Sequence, residues 1–157
     1  MKIIIGIVVV VLVALFFWNS SNNRKAAVDN MKKGAEFLEK NARLDGVKST
    51  ASGLQYQLLD LGQGTRHPSA SDRVKVHYHG TLIDGTVFDS SVDRGEPISF
   101  GLNQVIKGWT EGLQLMAVGD RMRLFIPSHL GYADRSAGKI PPGSVLIFDV
   151  ELLGINE

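Results

Sequence analysis

The sequence predicts an α+β domain in which an antiparallel sheet wraps around one short helix. Two observations predict this fold class. Several short segments alternate apolar and polar residues with a period of two, which is typical of half-buried strands, and turn residues separate them. One segment among them, Gly108 to Met116, instead has the helical period, because Trp109, Leu113 and Met116 share one face. Short strands around a single helix indicate an α+β domain.

Ahead of this domain, Ile3 to Trp18 is an apolar run without a charged residue. As a helix rising 1.5 Å per residue it would span roughly 24 Å, somewhat less than a hydrocarbon core of about 30 Å, with Trp18 near the interface. The run is long for a signal-peptide core, and Asn19 to Asn23 offer no small-x-small cleavage site. We therefore favour an uncleaved membrane anchor over a cleaved signal peptide or a core helix. Basic residues on both sides leave its orientation open.

Residues 1–23 thus comprise this anchor or uncleaved signal segment and a polar linker, Asn19 to Asn23. Within residues 24–49, apolar residues recur at helical spacing between charged ones, and Asp45-Gly46 ends the pattern. The apolar stripe consists of Ala27, Met31, Ala35, Leu38 and Ala42. This amphipathic helix, about Val28 to Arg43, is either a spacer lying against the folded unit or a dimerisation stalk. The thin stripe favours a spacer, and the short spacer argues for a monomer.

The folded unit is expected to span residues 50–157, and its central element is the strand from Val74 to Leu82. Its two faces are Val74, Val76, Tyr78 and Leu82 against Lys75, His77, His79 and Thr81. Asp84-Gly85 then forms a hairpin turn, because glycine supplies the positive φ that such turns require. Beyond the turn, Phe88 and Asp89 stand side by side. An apolar wall with one polar group suits recognition better than proton chemistry.

Four further strands complete the predicted sheet. They cover Leu54 to Leu58, Pro97 to Phe100, Met122 to Ile126 and Leu146 to Leu152. Pro127 ends the third of these strands, because proline cannot donate to the ladder. A loop rich in glycine and proline, Tyr132 to Gly143, precedes the last strand.

Composition excludes several classes of function. A chain of 157 residues with 44% hydrophobic content is sized for one domain with appendages. Its net charge of +1 lacks the excess of basic residues that is typical of nucleic-acid binding. The lack of cysteine excludes disulfides, thiol catalysis and thiolate zinc sites. His77 and His79 share a strand face without a third ligand at a telling spacing, and Ser128-His129 lacks the Gly-x-Ser-x-Gly elbow of a hydrolase. We therefore expect no metal and no cofactor.

Five segments follow one another between about Val47 and Ile155: VHYHGTLIDGTVFDSS, RGEPISF, QVIKGWTEGLQLM, VGDRMRLFIP and IPPGSVLIFDVELL. In order and spacing they closely resemble the FKBP-type peptidyl-prolyl cis/trans isomerases. The flank GVKSTASGLQYQLL, preceded by a helix, is similar to the bacterial branch related to the macrophage infectivity potentiator proteins. The resemblance implies a strongly bent antiparallel sheet that clasps one helix, with the active site between them.

The resemblance also implies roles for individual residues. Trp109 would form the floor on which the substrate proline rests, and Phe148 the back of the pocket. The walls would be Tyr78, Phe88, Phe100, Val105 and Ile106. Ile98 would join this binding set at a position where some members carry an aromatic residue.

Four residues are the expected catalytic groups under this resemblance: Tyr78, Asp89, Ile106 and Tyr132. Asp89 would present its carboxylate beside the twisting imide, held by Tyr78 and Arg94. The Ile106 N–H and the Tyr132 hydroxyl would each donate to a substrate carbonyl. The segment departs from the family pattern directly after Tyr132, because Ala133 stands where a glycine is usual. Together with Ile98, this departure bears on rate and sequence preference more than on the reaction.

The expected function is peptidyl-prolyl cis/trans isomerisation in proline-containing client polypeptides, assisting their folding. Macrolides such as rapamycin are expected to enter the same pocket. The hydrophobic run and the family branch place the enzyme at a membrane with its domain in a bacterial periplasm, or free in the periplasm if the run is cleaved. One alternative is a membrane-tethered proline-peptide binding module or chaperone with little turnover. Another is a soluble cytoplasmic isomerase.

Overall fold

The computed structural model describes the backbone of residues 2–157 and the side chains of residues 21–157. The helices are α1 (Lys2–Asn41), α2 (Ser91–Arg94) and α3 (Lys107–Gln114). The strands are β1 (Val47–Ser49), β2 (Gln55–Asp60), β3 (Arg73–Thr81), β4 (Val87–Ser90), β5 (Ile98–Gly101), β6 (Arg121–Ile126) and β7 (Leu146–Ile155). Short 3₁₀ turns follow β5 and β6, at Leu102–Gln104 and Ser128–Leu130.

The strands form one antiparallel sheet in the order β1-β2-β6-β7-β3-β4, with β5 also paired to β3. β3 pairs with three strands, and β7 lies along one of its edges. Its other edge is divided between β5, which pairs with the first half of β3, and β4, which pairs with the end. Register shifts after Lys75 and after Gly80 mark bulges, which bend a sheet. The predicted α+β fold, a curved antiparallel sheet with a short helix on it, is confirmed.

The core lies between the sheet and α3. Val74 and Val76 of β3 are fully buried, and Tyr78 is 5% exposed, as the period-two pattern predicted. The predicted face of α3 is buried as well. Two glycines bring this helix close to β6: a Cβ on Gly108 would lie 2.5 Å from Ile126 Cγ2, and one on Gly112 would lie 2.8 Å from Leu124 Cδ1. Any larger residue at these positions would push α3 away from the sheet.

The predicted strands are all present, with differences at their ends. Leu58 is 47% exposed rather than internal, and it lies where the pairing of β2 with β6 shifts register. Such a bulge changes the direction in which neighbouring side chains point. β1, β4 and α2 were not predicted, because elements of three or four residues carry only a weak periodic pattern.

α1 is one continuous helix, whereas the sequence analysis expected a linker at Asn19 to Asn23 between two helical segments. Serine and asparagine are only moderately unfavourable in a helix, and no glycine or proline lies between Gly6 and Gly34. Helix formation also propagates readily from a formed segment into its neighbours. The linker prediction was therefore wrong as to local structure.

α1 lies against the domain, as expected of a spacer, but its contact face coincides with the predicted stripe only at Ala27 and Leu38. Its covered or partly covered residues include Ala27, Asn30, Gly34, Phe37 and Asn41, whereas Met31, Ala35 and Ala42 are exposed. The contact is partly polar. Asn30 Nδ2 donates to the Pro142 carbonyl at 2.8 Å, and Asn41 Nδ2 donates to Gln55 Oε1 at 2.8 Å. Because asparagine docks this helix, a purely apolar stripe could not identify the contact face.

Within the part of the chain whose side chains are described, no helix is long and apolar enough to cross a membrane. The predicted anchor, Ile3 to Trp18, lies outside that part. Membrane attachment therefore stays a prediction.

Candidate active site

A cleft of about 700 Å³ opens between α3, the inner face of the sheet and the loop that follows β6. Eight of the residues selected from the sequence line it: Tyr78, Asp89, Phe100, Val105, Ile106, Trp109, Tyr132 and Phe148. They come from four strands, one helix and the loops between them. The curvature of the sheet is what brings them together.

Trp109 forms the aromatic floor of this cleft and is only 4% exposed. Three rings meet it edge to face, with centroid distances of 5.3 Å for Tyr78, 5.3 Å for Phe148 and 5.7 Å for Phe100. This is the arrangement that ring quadrupoles prefer. The hydroxyl of Thr110 donates to the Leu102 carbonyl at 2.7 Å and so ties α3 to the preceding turn. The floor is consequently rigid and apolar.

A polar cluster borders the floor. The Tyr78 hydroxyl donates to one oxygen of the Asp89 carboxylate, and Arg94 Nη1 donates to the other. Arg94 Nη2 also donates to the Tyr78 oxygen at 3.1 Å, and the guanidinium carbon lies 5.9 Å from the centroid of the Tyr78 ring. The carboxylate is therefore held from two sides, and the Arg94 cation balances its charge.

The cluster fixes the protonation states of its members. Burial acts to raise the pKa of Asp89, but the hydrogen bonds from Tyr78 and Arg94 and the Arg94 charge outweigh it, so this pKa lies below its ordinary value. Burial, followed by the hydrogen bond to Asp89, raises the pKa of Tyr78. At neutral pH Asp89 is thus a carboxylate and Tyr78 a neutral donor. Such a pair supplies fixed electrostatics rather than proton transfer.

Two serines after Asp89 fix the backbone that carries this cluster. Ser91 is fully buried, and its hydroxyl accepts the Tyr78 N–H at 2.8 Å and lies 2.9 Å from His77 Nδ1. Ser90 caps α2 and lies 2.8 Å from His79 Nδ1. The two histidines thus contact this loop. No group of three or more potential metal ligands occurs among the described side chains.

Ile106 and Tyr132, the two predicted donors to substrate carbonyls, both lie along the cleft. Ile106 occupies the N-cap position of α3, where its carbonyl accepts from Trp109 N at 3.0 Å. Tyr132 is half-buried in the loop after β6. Its neighbour Ala133 has a φ of 55°, the left-handed conformation in which glycine is usual. The loop therefore adopts a glycine-like backbone although an alanine occupies the position.

Three predicted binding residues do not line the cleft. Phe88 packs edge to face against Phe148, with ring centroids 5.3 Å apart, and so lies in a second layer. Ile98 packs against the core cluster from β5. Arg94 pairs with Asp89 and is not among the residues that line the cleft.

The cleft also contains six residues that the sequence analysis did not select as site residues. They are Gln104, Lys107, His129, Gly131, Ala133 and Arg135. These residues lie in loops or at the start of α3, where periodicity carries no signal. Sequence adjacency to Ile106 and Tyr132 was the only available indication for Lys107, Gly131 and Ala133.

Family models match most of the chain. A model described as FKBP-type peptidyl-prolyl cis-trans isomerase matches residues 64–153. A second, described as the domain amino terminal to FKBP-type peptidyl-prolyl isomerase, matches residues 14–58.

Individual relatives show the same similarity. The chain is 62% identical to the FKBP-type peptidyl-prolyl cis-trans isomerase FkpA of Aeromonas hydrophila over 133 residues, which cover 85% of the chain and 49% of that relative. It is 51% identical to a macrophage infectivity potentiator of Trypanosoma cruzi over 125 residues, covering 79% and 64%. The crystal structure of FkpA from Escherichia coli matches with a TM-score of 0.83 at 48% identity, covering 87% and 64%. The chain thus spans about half the length of the curated relatives it matches.

Proposed function

The chain belongs to the FKBP-type peptidyl-prolyl cis-trans isomerase family, and from this premise we propose that it accelerates rotation about Xaa-Pro bonds in client proteins and assists their folding. The observation that carries the proposal is the rigid aromatic floor of Trp109, bordered by one charge-balanced carboxylate. A proline ring is apolar and compact, so it fits such a floor. A twisting imide beside it would face Asp89.

The barrier that must be lowered comes from amide resonance. It amounts to about 18 to 20 kcal/mol, and uncatalysed prolyl isomerisation takes on the order of 10 to 100 s. Resonance places negative charge on the carbonyl oxygen, so a planar imide is more polar than a twisted one. Apolar walls therefore favour the twisted state relative to water. A thousandfold acceleration needs only about 4 kcal/mol, and this reaction requires no nucleophile, general base or metal.

Hydrogen bonds would contribute the remaining stabilisation. We propose that the Ile106 N–H and the Tyr132 hydroxyl hold the carbonyls on the two sides of the proline. Each such bond is worth roughly 1 kcal/mol net. The Asp89 carboxylate, oriented by Tyr78 and Arg94, would face the imide as its planarity is lost. All of these groups act by position and charge, which suits the fixed protonation states of the cluster.

The test is the cis-to-trans rate of a short proline peptide with an apolar residue before the proline. The full chain is compared with a paired Asp89→Ala, Tyr132→Phe variant, and Tyr56→Phe serves as the matched control because Tyr56 does not line the cleft. We expect the paired variant to lose about 10- to 30-fold in kcat/KM. The control should lose less than twofold.

A folded parent that leaves the peptide rate unchanged would refute the isomerase proposal. It would favour instead a module or chaperone that binds proline segments without turnover. Aggregation suppression by the inactive paired variant would be the sign of that activity.

We further propose that macrolides such as rapamycin enter the cleft, since they present a proline-like ring to an apolar floor. Competition between rapamycin and the peptide substrate tests this. For its location we propose a periplasmic domain tethered through Ile3 to Trp18. The apolar run and the family branch support this placement, and fractionation of membranes from soluble extract tests it.

A further inference from the structure

Two cations line the cleft from different elements. Lys107 is the first residue of α3, and Arg135 lies in the loop after Tyr132. We call these two residues the cationic rim. Both side chains are exposed, and neither has a carboxylate within 4.0 Å among the described side chains. Their charges are therefore available to a ligand.

Acidic groups near the cleft form no ion pair with either rim residue in the described part of the chain. Asp89 is the only carboxylate that lines it in the described part of the chain, and Arg94 already pairs with it. Glu111, one turn after Lys107, is bound by the hydroxyls of Ser52, at 2.7 Å, and Thr50. Asp134 precedes Arg135 but does not line the cleft.

The start of α3 strengthens the positive potential. Acidic residues are favoured in the first turn of a helix because they interact with the positive end of its dipole. The first turn of α3 contains none and begins with Lys107 instead. The helix end and the lysine thus add their fields at the same edge of the cleft, although the whole chain carries a net charge of only +1.

We propose that the cationic rim makes the enzyme select client segments that carry an acidic side chain next to the proline. This inference rests on the proposed function and names its substrate class. With the proline on Trp109, the flanking carbonyls face the Ile106 N–H and the Tyr132 hydroxyl. Lys107 directly follows Ile106, and Arg135 lies three residues after Tyr132. The side chains on both sides of the proline would therefore lie on the side of the cleft that carries a rim cation, and charges closer than about 8 Å are only partly screened at physiological ionic strength.

The experiment uses the full chain and proline peptides that differ only beside the proline, with Glu, Leu or Lys before it and, in a second set, after it. It measures kcat/KM by the cis-to-trans rate and Kd by the anisotropy of a labelled peptide. Exposed ion pairs are individually weak, so we expect a Glu-to-Lys preference of about tenfold at low salt, falling towards twofold at about 0.5 M salt.

Variants assign the preference to the rim. Lys107→Gln and Arg135→Gln should each reduce the ratio of kcat/KM for the Glu peptide to that for the Lys peptide about threefold. The double variant Lys107→Glu, Arg135→Glu should favour the Lys peptide instead. Lys139→Gln is the matched control, because Lys139 is an exposed cation of the same loop that does not line the cleft. It should leave the ratio unchanged.

The outcomes separate this inference from the proposed function. Turnover of the Leu peptide with a Glu-to-Lys ratio near one would overturn the inference and leave the isomerase intact. A parent without turnover would refute the isomerase, and the Kd ratio would then decide the charge preference. Equal effects of Lys139→Gln and the rim variants would also overturn it, because the preference would then follow net charge.

Discussion

Replacing Gly80 by alanine is expected to damage both the stability and the activity of this protein. Gly80 lies in β3 beneath the ring pair of Phe88 and Phe148. A Cβ at this position would lie 2.6 Å from Phe88 Cζ and 2.9 Å from Phe148 Cε1. Carbon atoms pack best at about 3.5 to 4.0 Å, so both rings would have to move by roughly 0.6 to 0.9 Å or more.

The expected cost follows from that overlap. Inserting a methyl group into a packed core typically costs about 1 to 3 kcal/mol, and alanine recovers about 0.5 to 1 kcal/mol that glycine loses in a strand. We therefore expect Gly80→Ala to lower the free energy of unfolding by about 1 to 2 kcal/mol. Because Phe148 also contacts Trp109, its displacement should narrow the cleft and lower kcat/KM for a short proline peptide.

Urea unfolding and the peptide assay measure the two effects. Gly154→Ala is the matched control, because Gly154 lies in β7 of the same sheet and the three atoms nearest to its Cβ would belong to the side chain of Glu157, which can rotate away. The control should change the unfolding free energy by less than about 0.5 kcal/mol. A Gly80→Ala protein as stable and active as the parent would refute the claim that the two rings are packed rigidly behind the cleft.

Two further predictions concern the loop and the carboxylate. Ala133→Gly should raise the free energy of unfolding in urea by about 0.5 to 1 kcal/mol. The left-handed conformation costs an L-residue roughly 1 to 2 kcal/mol, and the greater entropy of glycine in the unfolded chain offsets part of this gain. A lower free energy of unfolding would contradict the prediction. The lowered pKa of Asp89 means that the unfolded chain takes up this proton first as the pH falls. The contribution of the Asp89 carboxylate to stability should be complete above about pH 4 and disappear at lower pH. The difference in unfolding free energy between the parent and Asp89→Asn should therefore shrink below about pH 4 in urea titrations. A difference that stays constant from pH 7 to pH 3 would exclude this stabilising role of the carboxylate.

Local patterns in the sequence determined much of the fold. The alternation along β3 identifies Val74, Val76 and Tyr78 as internal, because successive side chains of a strand point to opposite faces whatever the tertiary context. The helical spacing of Trp109, Leu113 and Met116 likewise identified side chains that are all buried, the first two on α3 and Met116 just beyond its end. The buried faces of these elements could be predicted from backbone geometry alone.

Contacts between distant elements could not be predicted in that way. The apolar stripe of α1 identified its docking face only in part, because the domain binds Asn30 and Asn41 through hydrogen bonds that hydrophobic periodicity does not register. Phe88 looked like a cleft wall beside Asp89, yet the sheet curvature places it behind Phe148.

The sequence by itself determined which chemistry the cleft could have: aromatic rings, one carboxylate, and no cysteine or convincing triad for covalent catalysis. Only the tertiary structure decided which charges face the ligand. Lys107 and Arg135 lie 28 residues apart in the sequence, and both line one cleft because α3 and the loop after β6 both close over the inner face of the sheet. Charge acts through space, so its effect depends on this folded arrangement rather than on any local pattern.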